Sequence, residues 1–421
     1  MILRDYQTSI ANAASELLKK HKIAYLAMQV RTGKTLTSLY TAQIYGAQNV
    51  LFITKKKAIS SILSDFDKSE FAKYQLTVIN FEQLHNLTKY AHFDLIIIDE
   101  AHSLGQYPIP SERTKLLKQI AYNKPIIYLS GTPSPESYSQ LFHQLWVSTF
   151  SPFGHSNFYQ WVKHGYVNVK QRFVFNRSLN DYSDANKSMI DEKVSHLFLN
   201  YTQEEAGFKE NVQEHVHYVK MNAKTYEIIS RLKRDKILIG KDKQVVEADT
   251  EVKLMNKLHQ LYSGTVIYDS NPDDTTGGAV IDQSKTEYIF NTFSFDKMAI
   301  FYKFRSEYYL IKLKALFMGY KVTDNPQEFN ESSDKIVFIS QFVSGREGIN
   351  LEKADCLICY NIDFSAVTYW QCRARIQSKD RDKSAALHWI FAEDGIEDKI
   401  LKAVQNKKNY TLSYFKKDYI Q

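Results

Sequence analysis

Two short polar elements, each set directly behind an apolar run, constrain this chain more than any other feature. Ile23-Ala24-Tyr25-Leu26-Ala27 reads as a buried strand, followed by a loop ending in Thr32-Gly33-Lys34-Thr35 and then by a helix. Asp94-Leu95-Ile96-Ile97-Ile98-Asp99 reads as a second strand, with Glu100-Ala101-His102 behind it. A continuous Leu-Ile-Ile-Ile run suits a strand covered on both faces, as in a parallel sheet. Open α/β sheets bind their ligands outside the carboxyl ends of such strands.

The residue types at those two ends point to phosphate chemistry. Backbone N–H groups at a helix start carry positive partial charge and suit phosphate oxygens. Gly33 lets the backbone approach closely, Lys34 brings a point charge, and the Thr35 hydroxyl can ligate Mg²⁺. Asp99 can hold the Mg²⁺ shell, and Glu100 can position or deprotonate an attacking water. The full phosphate-loop pattern asks for Gly where Met28 stands, and many such loops carry Gly where this one has Arg31. Together the two elements predict a site for a nucleoside triphosphate and Mg²⁺, with His102 placed to couple the nucleotide to a neighbouring domain.

Strand and helix then alternate along the chain. Candidate strands are Val50–Thr54, Leu76–Asn80 and Pro125–Ser130 in the first part, with helices at Ser111–Tyr122 and Tyr138–Val147. Such alternation predicts a doubly wound parallel sheet. From about Ser151 to Val219 the pattern loosens and reads as a connecting region. Helices are expected at Tyr226–Lys236 and Val252–Tyr262, and a loop at Asn271–Gly278. Alternation resumes with strands at Ala299–Lys303, Lys335–Ser340, Cys356–Ile362 and Ala386–Phe391. Helices follow at Ser306–Phe317 and Ile396–Gln405. The expected fold is α/β, with two tandem parallel-sheet domains: 1–150, a connector at 151–220, and 221–421.

Charge and cysteine usage narrow the function classes. A net charge of +7 permits a polyanionic partner, although a solvated Lys-rich surface gives the same number. The chain has 28 Tyr and 25 Phe, enough to supply both core and base-stacking rings. Three Cys cannot build a disulfide scaffold, and Cys356-x-x-Cys359 has no second pair to complete a zinc site. Three-residue spacing on a strand puts those two thiols on opposite faces, as buried groups in a reducing compartment. No apolar run approaches membrane-spanning length and no signal peptide is evident, so a cytoplasmic protein with no membrane partner is expected.

Read as a set, these segments resemble the superfamily-two helicases and translocases of the SWI/SNF-like branch, over nearly the whole chain. Leu3-Arg4-Asp5-Tyr6-Gln7 resembles the adenine-reading segment, Thr32–Thr35 motif I, and Asp99-Glu100-Ala101-His102 the DEAH box of motif II. Leu51–Lys57, Val78–Glu82 and Leu129-Ser130-Gly131-Thr132-Pro133 resemble motifs Ia, Ib and III. Ser344–Leu351 resembles motif V, and Gln371-Cys372-Arg373-Ala374-Arg375 motif VI. The compact size and the Arg-Thr-Gly-Lys-Thr form look like phage-encoded members, which would place the protein in a host cytoplasm.

The resemblance implies two RecA-like domains with an ATP cleft between them. It implies an ATP hydrolase coupled to movement along DNA, or to its remodelling, in replication, recombination or repair. ATP and Mg²⁺ are the implied cofactors. DNA is the implied partner, duplex in this branch and single-stranded in others. Catalytic roles fall to Lys34, Asp99, Glu100, Gln371 and Arg375. Nucleotide contacts fall to Gln7, Thr32, Gly33, Lys34, Thr35, Gly348 and Arg373, and Mg²⁺ to Thr35 and Asp99. Nucleic-acid contacts fall to Lys55, Lys56, Asn80, Thr132 and Asn350. The family's second motif VI arginine is replaced by Ser378, so Arg373 and Arg381 stand beside Arg375 as candidates for the arginine that reaches the γ-phosphate. Two other readings stay open: an ATP-gated nucleic-acid-binding protein with little turnover, and an RNA-directed helicase.

Overall fold

The computed structural model describes residues 3–87, 92–174, 177–207, 212–240, 244–269, 278–342, 351, 353–375, 385–406 and 409–419. The chain divides into two units, residues 1–208 and 209–421.

In the first unit, six strands form one parallel sheet. They are β1 (Ile23–Met28), β2 (Asn49–Thr54), β3 (Gln75–Asn80), β4 (Leu95–Ile98), β5 (Ile126–Leu129) and, later in the chain, β8 (Phe198–Tyr201). A small antiparallel hairpin, β6 (Lys170–Val174) and β7 (Arg177–Asp181), lies between them in sequence. The sheet runs β3-β2-β4-β5-β1-β8, with every pair parallel. The Leu95–Ile98 run is buried throughout because its side chains feed both faces: Ile96 and Ile98 enter one core, Leu95 and Ile97 the other. Helix α1 (Asp5–His21) packs on α2 (Lys34–Tyr45) through a stripe that includes Ala11, Ala14 and Leu18.

The second unit repeats the plan. It begins with β9 (Val212–Val219) and two short hairpins, β10 (Ile237–Ile239) with β11 (Val245–Glu247), and β12 (Thr265–Val266) with β13 (Ala279–Val280). The main strands are β14 (Lys297–Tyr302), β15 (Lys321–Thr323), β16 (Ile336–Gln341), β17 (Cys356–Cys359) and β18 (Ala385–Ala392). They form a parallel sheet in the order β15-β16-β14-β17-β18-β9. As its spacing requires, β17 sends Cys356 into one core and Cys359 into the other. The three cysteines are buried and none forms a disulfide.

The expected two parallel-sheet α/β units are the fold observed. The span 151–220, expected as a connector, is organised differently. β8 within it closes the first sheet against β1, and β9 is the edge strand of the second. Both are edge strands with mixed burial, so neither carries the continuous apolar signal of a central strand. The expected loop at 271–277 lies outside the described residues.

Candidate active site

The carboxyl edge of the first sheet gathers the polar residues that the sequence singles out. Across that edge the strand order sets Asn80 behind β3, Lys55 and Lys56 behind β2, Asp99 and Glu100 behind β4, Thr132 behind β5, and the phosphate-type loop behind β1.

The loop after β1 is fixed by its own backbone. The Gln29 carbonyl accepts from Thr32 N (3.3 Å), Thr32 Oγ1 (2.7 Å) and Lys34 Nζ (3.3 Å). Gln203 ties the same loop from the strand side, donating through Nε2 to the Val30 carbonyl at 3.0 Å. Arg31 sits in the left-handed region at φ +64°, so this loop makes without glycine a bend that other sequences make with it. Gly33 opens α2 at φ +83°. Because the capping residue is glycine, no side chain there accepts from the first amides of the helix, which suits them to an anion.

Gln7 packs directly against Gly33, whose φ of +83° is what calls for glycine there. It stands at the third position of α1, where its Oε1 accepts from Arg4 N at 2.9 Å and its Nε2 donates to the Gly33 carbonyl at 3.3 Å. A Cβ on Gly33 would fall 2.1 Å from that Nε2. Beside it, Tyr6 donates to the Thr32 carbonyl at 3.0 Å and stacks on Tyr201 at 4.5 Å. Neither tyrosine was singled out from sequence, although an aromatic next to Gln7 was the available signal.

Asp99 is held on the facing strand end. Its Oδ2 accepts from the Thr54 hydroxyl at 2.8 Å and its Oδ1 from Glu100 N at 3.0 Å. Burial, reinforced by the Glu100 charge, pushes the Asp99 carboxyl up to about 6, while the Lys34 ammonium and these hydrogen bonds oppose the rise. A divalent cation would resolve that conflict, since it favours the ionised carboxylate. The donor set of Thr35, Asp99, Lys34 and helix amides therefore fits a Mg²⁺-bound polyphosphate.

Glu100 occupies the left-handed region at φ +49°, a conformation that costs a non-glycine residue about 1–2 kcal/mol. It lies 3.3 Å (Oε2) from His102 Nδ1, which is also 3.0 Å from Ser130 Oγ. Ser130 Oγ in turn accepts from Thr132 N at 3.2 Å. The loop after β4 is thus connected to the loop after β5, and Thr132 is exposed at its end.

One expected contact also has a structural duty here. Asn80 is buried and caps the turn Phe81–Asn86: its Oδ1 accepts from Gln83 N at 2.9 Å, and Gln83 Oε1 accepts from Asn80 N at 3.1 Å. Lys56, by contrast, is exposed in the turn after β2, with Lys55 half-buried before it.

In the second unit, the helix Ala366–Arg373 carries Gln371, and Arg375 follows it; both are only 7% exposed. Gln371 Oε1 has no hydrogen-bond partner among the described residues. Arg373 is tied within its own unit. Its Nε donates to Glu214 Oε1 at 2.8 Å, and the same carboxylate accepts from Tyr369 (3.0 and 2.9 Å) and Trp389 Nε1 (3.1 Å). Through this ion pair Arg373 braces its helix onto edge strand β9, within its own unit. Glu214, in the region expected as a connector, was not singled out from sequence. Near the same helix, burial opposes the Asp363 charge, but Lys303 at 2.7 Å prevails and holds the carboxyl below its usual range. Gly348, Asn350, Ser378 and Arg381 lie outside the described residues.

No family model matches this chain, and no curated protein matches it. Among solved structures, the chain is similar to the Sulfolobus solfataricus SWI2/SNF2 ATPase core in complex with dsDNA. The match has 16% identity and a TM-score of 0.41, over 99% of this chain and 92% of that one. It is similar also to the Sulfolobus solfataricus SWI2/SNF2 ATPase core domain, at 16% identity and TM-score 0.40, over 97% of this chain and 89% of that one.

Proposed function

We propose that this protein is an ATP-dependent DNA translocase or helicase that couples hydrolysis to movement along DNA or to its remodelling. The observation that carries the reading is the placement of Lys34, at a helix start, and Asp99, at a strand end, on one edge of the same parallel sheet. A cation at a helix start and a buried carboxylate, strained by burial and by Glu100, act on each other there.

In this reading, the α2 amides and Lys34 bind the outer phosphates, and Thr35 and Asp99 hold Mg²⁺, which neutralises phosphate charge. Glu100, locked by its backbone and by His102, orients water. Ser130 and Thr132 carry the change at Glu100 to the outer rim of the sheet. There the exposed Lys56, with Lys55, supplies phosphate contacts to the nucleic acid. Arg375 completes the charge stabilisation, and Gln371, whose Oε1 has no partner among the described residues, accompanies it. Arg373 is left out of that assignment by its tie to Glu214.

Displacement of a third strand from a triplex-bearing duplex tests the movement. ATP-dependent displacement, lost in Lys34→Ala, is expected. ATP-dependent DNA binding without displacement or phosphate release would favour the alternative of a nucleotide-gated binding protein.

A further inference from the structure

The helix Arg305–Phe317 presents an apolar stripe that its own unit leaves uncovered. Tyr309, Leu313, Leu316, Phe317 and Met318 are 61%, 67%, 50%, 83% and 38% exposed. The opposite side of this helix is satisfied, with Ile311 and Ala315 fully buried in the core. Side chains at i, i+4 and i+7 or i+8 are the anchor pattern by which one helix receives another. Contiguous exposed apolar groups of this size mark an interaction surface rather than ordinary surface chemistry.

The charge around the stripe selects its occupant. Arg305 is exposed at the helix start and Lys312 lies over the Tyr308 ring. Lys314 lies over the Phe317 ring and reaches Glu287 at 2.6 Å. The helix has one carboxylate of its own, Glu307, and that is buried. A second copy of the chain would set cation against cation. Nucleic acid is disfavoured by position and by chemistry. The helix leaves the carboxyl end of β14 and ends just before the start of β15, so Phe317 and Met318 lie towards the amino edge of the sheet, away from the carboxyl ends at which such sheets bind their ligands. Leu313, Leu316 and Met318, at the middle and end of the stripe, offer no ring for a base to stack on.

We propose that this stripe docks an acidic amphipathic helix of a partner protein, with apolar anchors on Tyr309, Leu313 and Phe317 and carboxylates facing Arg305 and Lys312. The full-length protein is titrated into two labelled twenty-residue helical peptides. Both carry leucine at every third and fourth position, with glutamate elsewhere in one and lysine in the other, and anisotropy is the readout. Binding of the glutamate peptide is expected to weaken with salt and to fall at least about tenfold in Leu313→Glu and in Phe317→Glu. Those variants should keep the wild-type circular dichroism and the wild-type phosphate release, so a failure here is separable from a failure of the proposed function. Equal binding of both peptides, no binding, or binding unaffected by the variants would overturn the proposal. So would a wild-type dimer, or binding of single-stranded DNA or anionic vesicles, that is lost in Leu313→Glu.

Discussion

The imidazole of His102 stands 3.0 Å from the hydroxyl of Ser130, bridging the loop that carries Glu100 to the loop that carries Thr132. This contact links the carboxylate proposed to orient water to the residue expected on the nucleic acid. Ser130→Ala removes the link without touching Lys34, Asp99 or Glu100. Basal ATP hydrolysis should survive, while the extra rate given by DNA falls by about 1–2 kcal/mol of coupling, or roughly tenfold. Parallel phosphate-release assays with and without DNA check this; equal losses in both would refute a coupling role.

Asp99 carries a charge its surroundings resist. Its folded value, about 6, is above that of an unfolded aspartate, so the native state holds the proton more tightly. The sign follows: the carboxylate costs stability above about pH 6, and the cost fades as pH falls towards 4. Asp99→Asn should therefore raise the melting temperature of the nucleotide-free protein at pH 7.5, by the equivalent of about 1–3 kcal/mol, and have little effect near pH 4. Melting curves at the two pH values decide it. The same variant should lose Mg²⁺-dependent hydrolysis, separating stability from function.

Arg373 and Arg375 should part company on substitution. Arg373→Ala breaks the bond to Glu214 and leaves that carboxylate with neutral donors, at a cost of about 1–3 kcal/mol in the second unit. Hydrolysis by the folded fraction should persist. Arg375→Lys keeps the charge but loses the planar fork, and should leave stability near wild type while lowering hydrolysis by about 10³. Thermal melts paired with turnover would contradict the account if Arg373 proved to be the activity-sensitive one.

Lys285 and Glu397 form a fully buried ion pair at 2.9 Å, with Lys285 over the Tyr360 ring at 5.9 Å. Removing one partner strands the other charge. Lys285→Met should cost about 3–5 kcal/mol in urea unfolding, and adding Glu397→Leu should restore most of the loss. A double variant no better than the single would show that the pair has a further duty.

The central strands were legible because each is an unbroken apolar run ending in a chemically distinctive residue, as with Ile98 before Asp99. Edge strands β8 and β9 were not, since Phe198–Tyr201 is short and Val212–Val219 is half exposed. Spacing placed Lys34, Thr35, Asp99 and Glu100 on one edge. It could not show that Arg373 ties to Glu214, because that acceptor lies more than 150 residues earlier. The capping role of Asn80 was missed for a different reason. Its partner Gln83 sits three positions on, the spacing of a capping box, and that signal was present in the sequence.

The most direct measurement is phosphate release from Mg²⁺-ATP by wild type and Glu100→Gln, without nucleic acid and with single-stranded DNA, duplex DNA or RNA. The account predicts hydrolysis that duplex DNA stimulates strongly in wild type and that Glu100→Gln abolishes while still binding ATP. Hydrolysis that stays at background with every polymer, or that persists in Glu100→Gln, would contradict it.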